Sequence, residues 1–161
     1  MTQERTLILL KPDAVKRQLR GEIIRRIEQK GYEILALYQR TASLEELTAH
    51  YAEHEGKPFF PPMLDFMSSG PLVALVVAGE ECIAGMRTLM GATKPTEAAP
   101  GTIRGDLGRA WDKPVIENLI HGSDSPESAA REIAIWFPAL SARRAREVEA
   151  PYGIRYREEH T

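Results

Sequence analysis

Residues 117–125 read E-N-L-I-H-G-S-D-S, where a short apolar run ends on His121 and passes at once into glycine and small polar residues. A histidine that serves only packing needs no glycine behind it. Gly122 has no Cβ, so the backbone can turn sharply there and leave the imidazole ring open to a substrate. Ser125 and Pro126 have the features of a helix N-cap followed by proline at the first helical position. The stretch therefore predicts a reachable histidine between a strand and a helix.

An unprotonated imidazole is a competent nucleophile near neutral pH. The ordinary pKa of histidine is about 6.5, so a ring nitrogen of His121 can attack without a separate base to activate it. An isolated histidine at a strand end is more often a hydrogen-bonded core residue. The glycine and the short hydrogen-bonding side chains that follow His121 favour the reactive interpretation.

Strands and helices alternate along the chain on the way to this stretch. Apolar runs predict strands at 6–10, 32–40, 72–78 and 117–120. Helical spacing and cap residues predict helices at 21–30, after the Ser43–Glu46 capping box, at 63–67, at 80–90 and after Ser125. Glycines and prolines punctuate a long loop at 91–116, which is typical of a functional or disordered segment. The alternation indicates a layered α/β or α+β domain and is compatible with either a parallel or an antiparallel sheet.

The composition is that of an ordinary globular protein. The chain has 161 residues, of which 43% are hydrophobic and 27% charged, which suits one domain. A net charge of −2 argues against bulk binding to nucleic acid or to an anionic membrane. Cys82 is the single cysteine, which rules out an internal disulfide and fits a reducing compartment. With no apolar run long enough for a signal sequence or a membrane span, a cytoplasmic location is expected.

The common phosphate-binding loops are missing from the sequence. It contains neither the G-x-x-x-x-G-K-[ST] pattern of the P-loop nor the G-x-G-x-x-G pattern of the dinucleotide-binding turn. Any phosphate site must therefore be assembled locally from a few cationic side chains.

His50-Tyr-Ala-Glu-His54 matches the H-x-x-E-H string of one class of zinc hydrolases. Histidines four residues apart share a helix face and could hold zinc together. Such a site needs a third protein ligand, which the sequence does not identify. The same residues are fully explained by an amphipathic helix with polar histidines at its rim, and this explanation is preferred.

Residues 118–125 resemble the active-site signature of the nucleoside diphosphate kinases. The likeness runs from Glu4 to Phe137. It includes further motifs in the order of that family, at 6–15, 50–54, 57–61, 69–71, 90–93 and 100–106. Any one of these motifs could arise by chance, whereas the ordered set is highly specific.

The resemblance implies an α+β fold, the ferredoxin-like βαββαβ sandwich with a four-stranded antiparallel sheet and helices packed on it. It places a kinase domain at 1–140 and a C-terminal extension of the same domain at 141–161, a region that often contacts a neighbouring subunit in relatives. A homo-oligomer is implied, either a hexamer or a tetramer. The segment 107–117 is a few residues longer than is usual in the family, and the C-terminal extension is longer too.

The implied activity is transfer of the terminal phosphate of a nucleoside triphosphate to a nucleoside diphosphate. ATP or GTP would serve as donor, acceptors would be broad, and the route would be ping-pong through a phosphohistidine at His121. A nucleotide-binding module without catalysis, or a zinc hydrolase that uses His50 and His54, are the alternatives. The expected metal is Mg²⁺ carried on the phosphates, without ligands from protein side chains.

The resemblance also assigns roles to nine residues besides His121. Three cations match the phosphate-binding positions of the family, and they are Lys11, Arg87 and Arg104. Thr93 matches a hydroxyl donor to the phosphates, and Asn118 a contact to the ribose that Lys11 shares. Phe59 corresponds to the aromatic ring on which the base stacks, which allows a site to accept any base. The remaining matches lie around the histidine, with Tyr51 beside it and Glu132 and Ser123 orienting it.

Overall fold

The computed structural model describes residues 3–141 of the chain. The extension predicted at 141–161 therefore lies outside the described residues, apart from Ser141 at the end of the last helix. Within the described part, no helix has the length and apolar character needed to cross a membrane.

One four-stranded sheet forms the centre of the fold. Its strands are β1 (Gln3–Leu10), β2 (Glu33–Thr41), β3 (Pro71–Glu80) and β4 (Ile120–Gly122). The order across the sheet is β2-β3-β1-β4, and every pairing is antiparallel. This confirms the α+β, ferredoxin-like fold implied by the resemblance and excludes the parallel sheet that the pattern alone left open.

Helices cover both faces of this sheet. They are α1 (Pro12–Lys16), α2 (Arg20–Gln29), α3 (Leu44–His50), α4 (Phe60–Met67), α5 (Cys82–Met90), α6 (Ile103–Leu107), α7 (Pro126–Trp136) and α8 (Pro138–Ser141). On β1, Ile8 and Leu10 join the hydrophobic cluster under α2 and α5. Leu7 and Leu9 join a second cluster under α3, α4 and α7. Burial on both faces explains why this strand is a continuous apolar run rather than an alternating one.

The predicted capping box begins α3. The Ser43 hydroxyl accepts a hydrogen bond from the Glu46 backbone N–H, and the Glu46 carboxylate accepts one from the Ser43 N–H, both at 3.1 Å. Leu47 is buried in the core, whereas Leu44 is exposed. The last residue of α3 is His50, which is buried beneath α7.

The fourth strand differs from its prediction. It begins at Ile120 rather than at 117, so that His121 lies within the strand and pairs with Leu9 of β1. The preceding Leu119 has a left-handed backbone with φ of 73°. Its N–H donates to the Asp13 carboxylate and its carbonyl accepts from the Lys11 N–H. These bonds hold residue 119 out of the strand geometry, so pairing with β1 begins only at Ile120.

The long loop contains a short α-helix that the sequence pattern missed, preceded by a 3-10 turn at Pro95–Glu97. In α6 the Thr102 hydroxyl caps the first turn by accepting from the Gly105 N–H at 2.9 Å. Ile103 enters the core and anchors the loop. The segment at 91–116 is thus folded against the sheet edge that carries β4.

Candidate active site

The nucleophile candidate, His121, is held at one of its two ring nitrogens. Its Nε2 lies 2.6 Å from Oε1 of Glu132, a residue of α7. A carboxylate only accepts hydrogen bonds, so the ring proton belongs on Nε2 and the lone pair on Nδ1. The side chain is 21% exposed. Nδ1 is therefore the nitrogen that can react.

The carboxylate that orients the ring is itself fixed. Ser123 Oγ donates to the same Glu132 oxygen at 2.9 Å and accepts from the Leu7 N–H of β1 at 3.2 Å. Arg131 Nη2 lies 3.6 Å from the other carboxylate oxygen. Glu132 and Ser123 are both buried. The sheet, through Leu7, and α7 together set the plane of the imidazole.

The protonation state of His121 follows from its surroundings. Burial lowers the pKa of the ring below its usual range, the bond to Glu132 partly restores it, and the charges of Lys11 and Arg87 lower it again. The net direction is downward. The ring is therefore neutral near pH 7 and its Nδ1 lone pair is free.

Lys11, Asn118 and Thr93 form a chain of hydrogen bonds at the end of β1. Lys11 Nζ donates to Asn118 Oδ1, and Asn118 Nδ2 donates to the Thr93 carbonyl, both at 2.8 Å. Burial, with a further effect of the Arg104 charge, lowers the Lys11 pKa to about 8, although Asp13 opposes the shift. The ammonium ion is thus easily neutralised unless an anion lies beside it.

The two arginines play different parts in the structure. Arg104 is 5% exposed, and its guanidinium donates to three backbone carbonyls, those of Gly91, Asn118 and Ile120. Burial and the nearby charge of Arg87 lower the Arg104 pKa to about 10. Arg87, on α5, is exposed and donates to the Gly122 carbonyl at 3.2 Å. Arg104 therefore ties the long loop to β4, whereas Arg87 is the more open cation.

A cavity of about 130 Å³ opens beside the reactive ring. Of the candidate residues, the cavity brings together His121, Glu132, Tyr51 and Arg87. Its lining also includes residues that the sequence did not place beside the nucleophile, among them His50, His54, Asp124 and Arg131. Lys11, Thr93, Arg104 and Asn118 lie instead where the end of β1 meets the long loop. The local sequence does not indicate Arg131 as a site residue, because its place in the cavity depends on how α7 packs against the end of α3.

Phe59 lies further out, at the start of α4, and is 44% exposed. A series of ring contacts links it to the histidine: Phe59 to His54 at 5.3 Å between centroids, His54 to Tyr51 at 6.4 Å, Tyr51 to His50 at 4.6 Å and His50 to His121 at 4.6 Å. An exposed ring beside His54, a residue that lines the cavity, is suited to stacking on a flat ligand.

The zinc string does not form a paired site. His50 Nδ1 accepts a hydrogen bond from Trp136 Nε1 at 3.0 Å, and His54 contacts Phe59 instead. Within residues 3–141, the one metal-capable trio of His, Cys, Asp or Glu side chains is His50, His121 and Glu132. The last two already bind each other at 2.6 Å. The zinc hydrolase hypothesis is not favoured.

The segment at 107–117 contributes Trp111, Lys113 and Glu117 to a separate groove of about 750 Å³ over α1. Trp111 lies on its wall, with Arg109 and Lys113 over the indole ring and Lys113 paired to Glu117 at 2.8 Å. None of the ten candidate site residues lines it. The segment therefore shapes the surface beside the site and does not line the cavity at His121.

A ferredoxin-like sheet that presents a neutral histidine, with a buried carboxylate behind it and cations around it, defines a class of nucleotide-dependent phosphotransferases. The family model for nucleoside diphosphate kinase matches residues 4–141. The chain belongs to the nucleoside diphosphate kinase family, and it is a phosphotransferase.

The similarity to individual members is high. Nucleoside diphosphate kinase from Mycolicibacterium gilvum is 59% identical over 138 residues, covering 85% of this chain and 98% of that protein. The enzyme from Rhodococcus jostii is 59% identical over 140 residues, covering 86% and 98%. The crystal structure of the Aquifex aeolicus nucleoside diphosphate kinase superposes with a TM-score of 0.80 at 42% identity, covering 87% of this chain and 99% of that one.

Proposed function

We propose that the chain moves the terminal phosphate of a nucleoside triphosphate to a nucleoside diphosphate through a phosphoryl group carried on Nδ1 of His121. Nucleoside diphosphate kinase activity follows from membership of the family. The assignment of the nucleophile rests on one observation, the 2.6 Å contact that engages Nε2 with Glu132 and leaves Nδ1 free. A nucleotide-binding module without catalysis is not favoured, because the reactive arrangement is complete.

The reaction then has two balanced half-steps. In the first, the Nδ1 lone pair attacks the terminal phosphorus, the bond to the bridging oxygen breaks, and the nucleoside diphosphate leaves with that electron pair. The Nε2 proton stays in its bond to Glu132, so the carboxylate balances the positive charge on the ring. In the second, a terminal phosphate oxygen of another diphosphate attacks the same phosphorus, and Nδ1 leaves with its lone pair restored.

The remaining candidates supply binding and charge. Phosphoryl transfer depends mainly on positioning and on cations around the transferred oxygens, which we assign to Lys11, Arg87 and Arg104, with the Thr93 hydroxyl as a further donor. We assign Asn118 and Lys11 to the ribose hydroxyls, Phe59 to base stacking and Tyr51 to orientation beside the histidine. Stacking explains acceptance of several bases, with ATP or GTP as the donor.

The family requires a divalent cation, and we propose that it is Mg²⁺. The side chains assigned to the phosphates are cations and a hydroxyl rather than carboxylates, so they suit an ion that arrives on the phosphate oxygens and keeps water as its other ligands. Such an ion is part of the substrate, and its charge adds to that of the basic residues.

We also propose a homo-oligomer, either a hexamer or a tetramer. β2 lies at one edge of the sheet, and Leu37 on it is 50% exposed. An open edge strand with an exposed leucine is suited to pairing with a second copy. Light scattering coupled to gel filtration measures the assembly.

We assign residues 1–140 to the kinase part of the domain and residues 141–161 to a C-terminal extension of the same domain. We also propose a cytoplasmic location, which the free, buried thiol of Cys82 fits.

The function is tested by incubating the protein with Mg²⁺ and ATP labelled in its terminal phosphate. The label is expected on His121, to be lost in mild acid but stable in base, and to pass to any added nucleoside diphosphate. Peptide mapping identifies the residue. Label that is stable in acid, or that maps to another residue, would contradict the proposed site.

Nucleotide affinity is expected to fall as the pH rises above about 8. The Lys11 pKa of about 8 in the free protein means that its ammonium form is lost there. A bound polyanion raises that pKa, so binding takes up a proton and weakens by up to about tenfold per pH unit. Calorimetric titration with ADP in two buffers measures both the affinity and the proton uptake.

The matched control is Lys11→Arg, which retains its charge across this range. Its affinity for ADP is expected to stay level where that of the parent protein falls. An equal fall in affinity for both proteins would show that the charge of Lys11 does not contribute to ADP binding, which would contradict its assignment to the ribose and phosphates.

A further inference from the structure

His50 is a buried titratable residue to which the proposed reaction assigns no role. It is 4% exposed, at the end of α3, and its Nδ1 accepts from the indole N–H of Trp136 at 3.0 Å. An indole nitrogen can only donate a hydrogen bond. His50 Nδ1 must therefore carry a lone pair, which places the proton of the neutral ring on Nε2. If His50 were protonated, its Nδ1–H would face the indole N–H of Trp136, and neither group could accept a hydrogen bond from the other.

The His50 ring also packs directly on the reactive ring. Its centroid lies 4.6 Å from that of His121, with the planes at 77°. It meets Tyr51 at 4.6 Å and 85°, and Trp136 at 5.7 Å and 72°. All three contacts are edge to face, which restricts rotation of the rings more than parallel stacking would. Glu132 holds His121 at a single atom, so the second restraint on its ring plane comes from His50.

One helix holds both histidines. From α7, Glu132 binds His121, Trp136 binds His50, and Arg131 donates to the Ala49 carbonyl at 3.1 Å and to the His50 carbonyl at 3.5 Å. The end of α3 is thus fixed to the same helix that orients the nucleophile. Any movement of His50 relative to His121 would have to break contacts on α7.

We propose that His50 is a positioning residue for phosphoryl transfer. Held neutral in a single tautomer by Trp136, it braces the imidazole of His121 so that Nδ1 faces the terminal phosphate. This inference rests on the proposed function, because it assumes that His121 receives the phosphoryl group. It assigns a role to the first histidine of the H-x-x-E-H string that does not involve a metal: zinc at Nε2 of His50 would require the proton to move to Nδ1, where the indole N–H already points.

The charges around His50 favour the neutral ring. It faces His121 on β4, Arg131 and Glu132 on α7, Lys11 at the end of β1, and Tyr51 and His54 after α3. Burial lowers its pKa well below the usual range, and the basic neighbours lower it further. The ring is therefore neutral near pH 7, and its Nδ1 can accept from the indole N–H.

The tautomer is tested directly by long-range nitrogen–proton NMR of the histidine rings in the full-length protein. His50 is expected to show an unprotonated Nδ1, a protonated Nε2 and no titration between about pH 6 and 8. A protonated Nδ1, or a titration near the ordinary histidine pKa, would overturn the proposal. This readout needs no nucleotide and is independent of whether His121 is phosphorylated.

The positioning role is tested with His50→Asn. Asparagine keeps an acceptor for the Trp136 N–H but removes the edge of the ring that contacts His121. The single-turnover rate of phosphorylation by ATP is expected to fall about tenfold or more, with the ADP dissociation constant unchanged, because only orientation is lost. A rate equal to that of the parent protein would overturn the proposal.

Trp136→Phe provides a second test that leaves His50 in place. Loss of the indole N–H removes the donor that opposes a proton on His50 Nδ1, so the His50 pKa should rise, although burial still holds it below its usual range, and the acid limb of the phosphorylation rate should shift to higher pH. The matched control is Tyr38→Phe, which removes the 2.9 Å bond from the Tyr38 hydroxyl to the Trp136 carbonyl but leaves the indole N–H in place. The control should keep the parental pH profile. An identical shift in both variants would mean general loosening of α7 and would overturn the proposal.

Failure of this inference can be told apart from failure of the proposed function. If His121 is not the nucleophile, peptide mapping of the parent protein places no label on it. If only the positioning role is wrong, the parent protein is labelled at His121, and the His50→Asn variant is labelled at the same rate as the parent protein.

Discussion

Replacing His121 by alanine is expected to abolish both labelling by ATP and phosphate transfer, while nucleotides still bind. The imidazole supplies the one protein atom that forms a bond to the phosphoryl group in the proposed route. Removing the nucleophile of a covalent mechanism commonly costs about 10⁴-fold or more in turnover. Lys11, Asn118 and Phe59, to which we assign ribose and base contacts, are untouched. The ADP dissociation constant should therefore change by less than about tenfold.

Glu132→Gln provides the graded comparison. The amide keeps a similar shape beside His121 Nε2 but loses the charge that balances the phosphorylated ring, so labelling should be slowed rather than abolished. Stopped assays with labelled ATP separate the two outcomes. Turnover that survives in the alanine variant would refute the assignment of His121. Equal loss in the two variants would mean that the charge of Glu132 is as necessary as the ring, which would contradict a graded, orienting role for the carboxylate.

Local patterns in the sequence predicted those parts of the fold that depend on neighbouring residues. The capping box at Ser43 and the cap at Ser125, whose hydroxyl accepts from the Ser128 N–H at 3.0 Å, both form as expected. The apolar run at 6–10 becomes the C-terminal part of β1. Each of these features depends on interactions between residues that are close in sequence, so the local pattern contains the information needed to predict it.

The features that the pattern missed depend on partners that are distant in sequence. The start of β4 is set by bonds from Leu119 to Asp13 and Lys11, more than a hundred residues away. The burial of His50 depends on Trp136, which lies 86 residues further along the chain. Helical spacing correctly placed His50 on a helix, but it could not show that the ring turns toward the nucleophile instead of toward solvent.

The site was predicted mainly through the resemblance to a family. Matching motifs named both His121 and Glu132 as site residues, and the structure joins them at 2.6 Å. The motifs did not indicate that Arg104 is buried, because a basic residue in a loop normally suggests an exposed charge. Its environment became visible only with the three carbonyls in place. Because Arg104 is buried, its removal should affect the stability of the protein as well as phosphate transfer.

Arg104→Ala is expected to lower stability as well as transfer. The guanidinium binds the carbonyls of Gly91, Asn118 and Ile120, so its loss leaves three backbone acceptors without their partner. Each buried acceptor that loses its bond costs about 1–3 kcal/mol, so the free energy of unfolding should fall by on the order of 3 kcal/mol. For a chain of this size that corresponds to about 10 °C in Tm.

The effect on transfer should be the same for every base. We assign Arg104 to the phosphates and not to the base, so the loss in kcat/KM should be equal for adenine, guanine and cytosine acceptors. Displacement of Asn118, whose carbonyl Arg104 holds, would add to the loss through the ribose, which all nucleotides share. A loss that depends on the base would contradict the placement of this side chain near the phosphates.

Arg87→Ala separates the two roles, because Arg87 is exposed and makes one hydrogen bond to a backbone carbonyl, that of Gly122 at 3.2 Å. Its removal should slow transfer while changing the free energy of unfolding by about 1 kcal/mol or less. Thermal unfolding of both variants, with and without a nucleoside diphosphate, therefore distinguishes a cation that acts mainly on phosphate from one that also holds the loop to β4. An Arg104→Ala protein that melts with the parent would show that the loop is held to the sheet by other contacts.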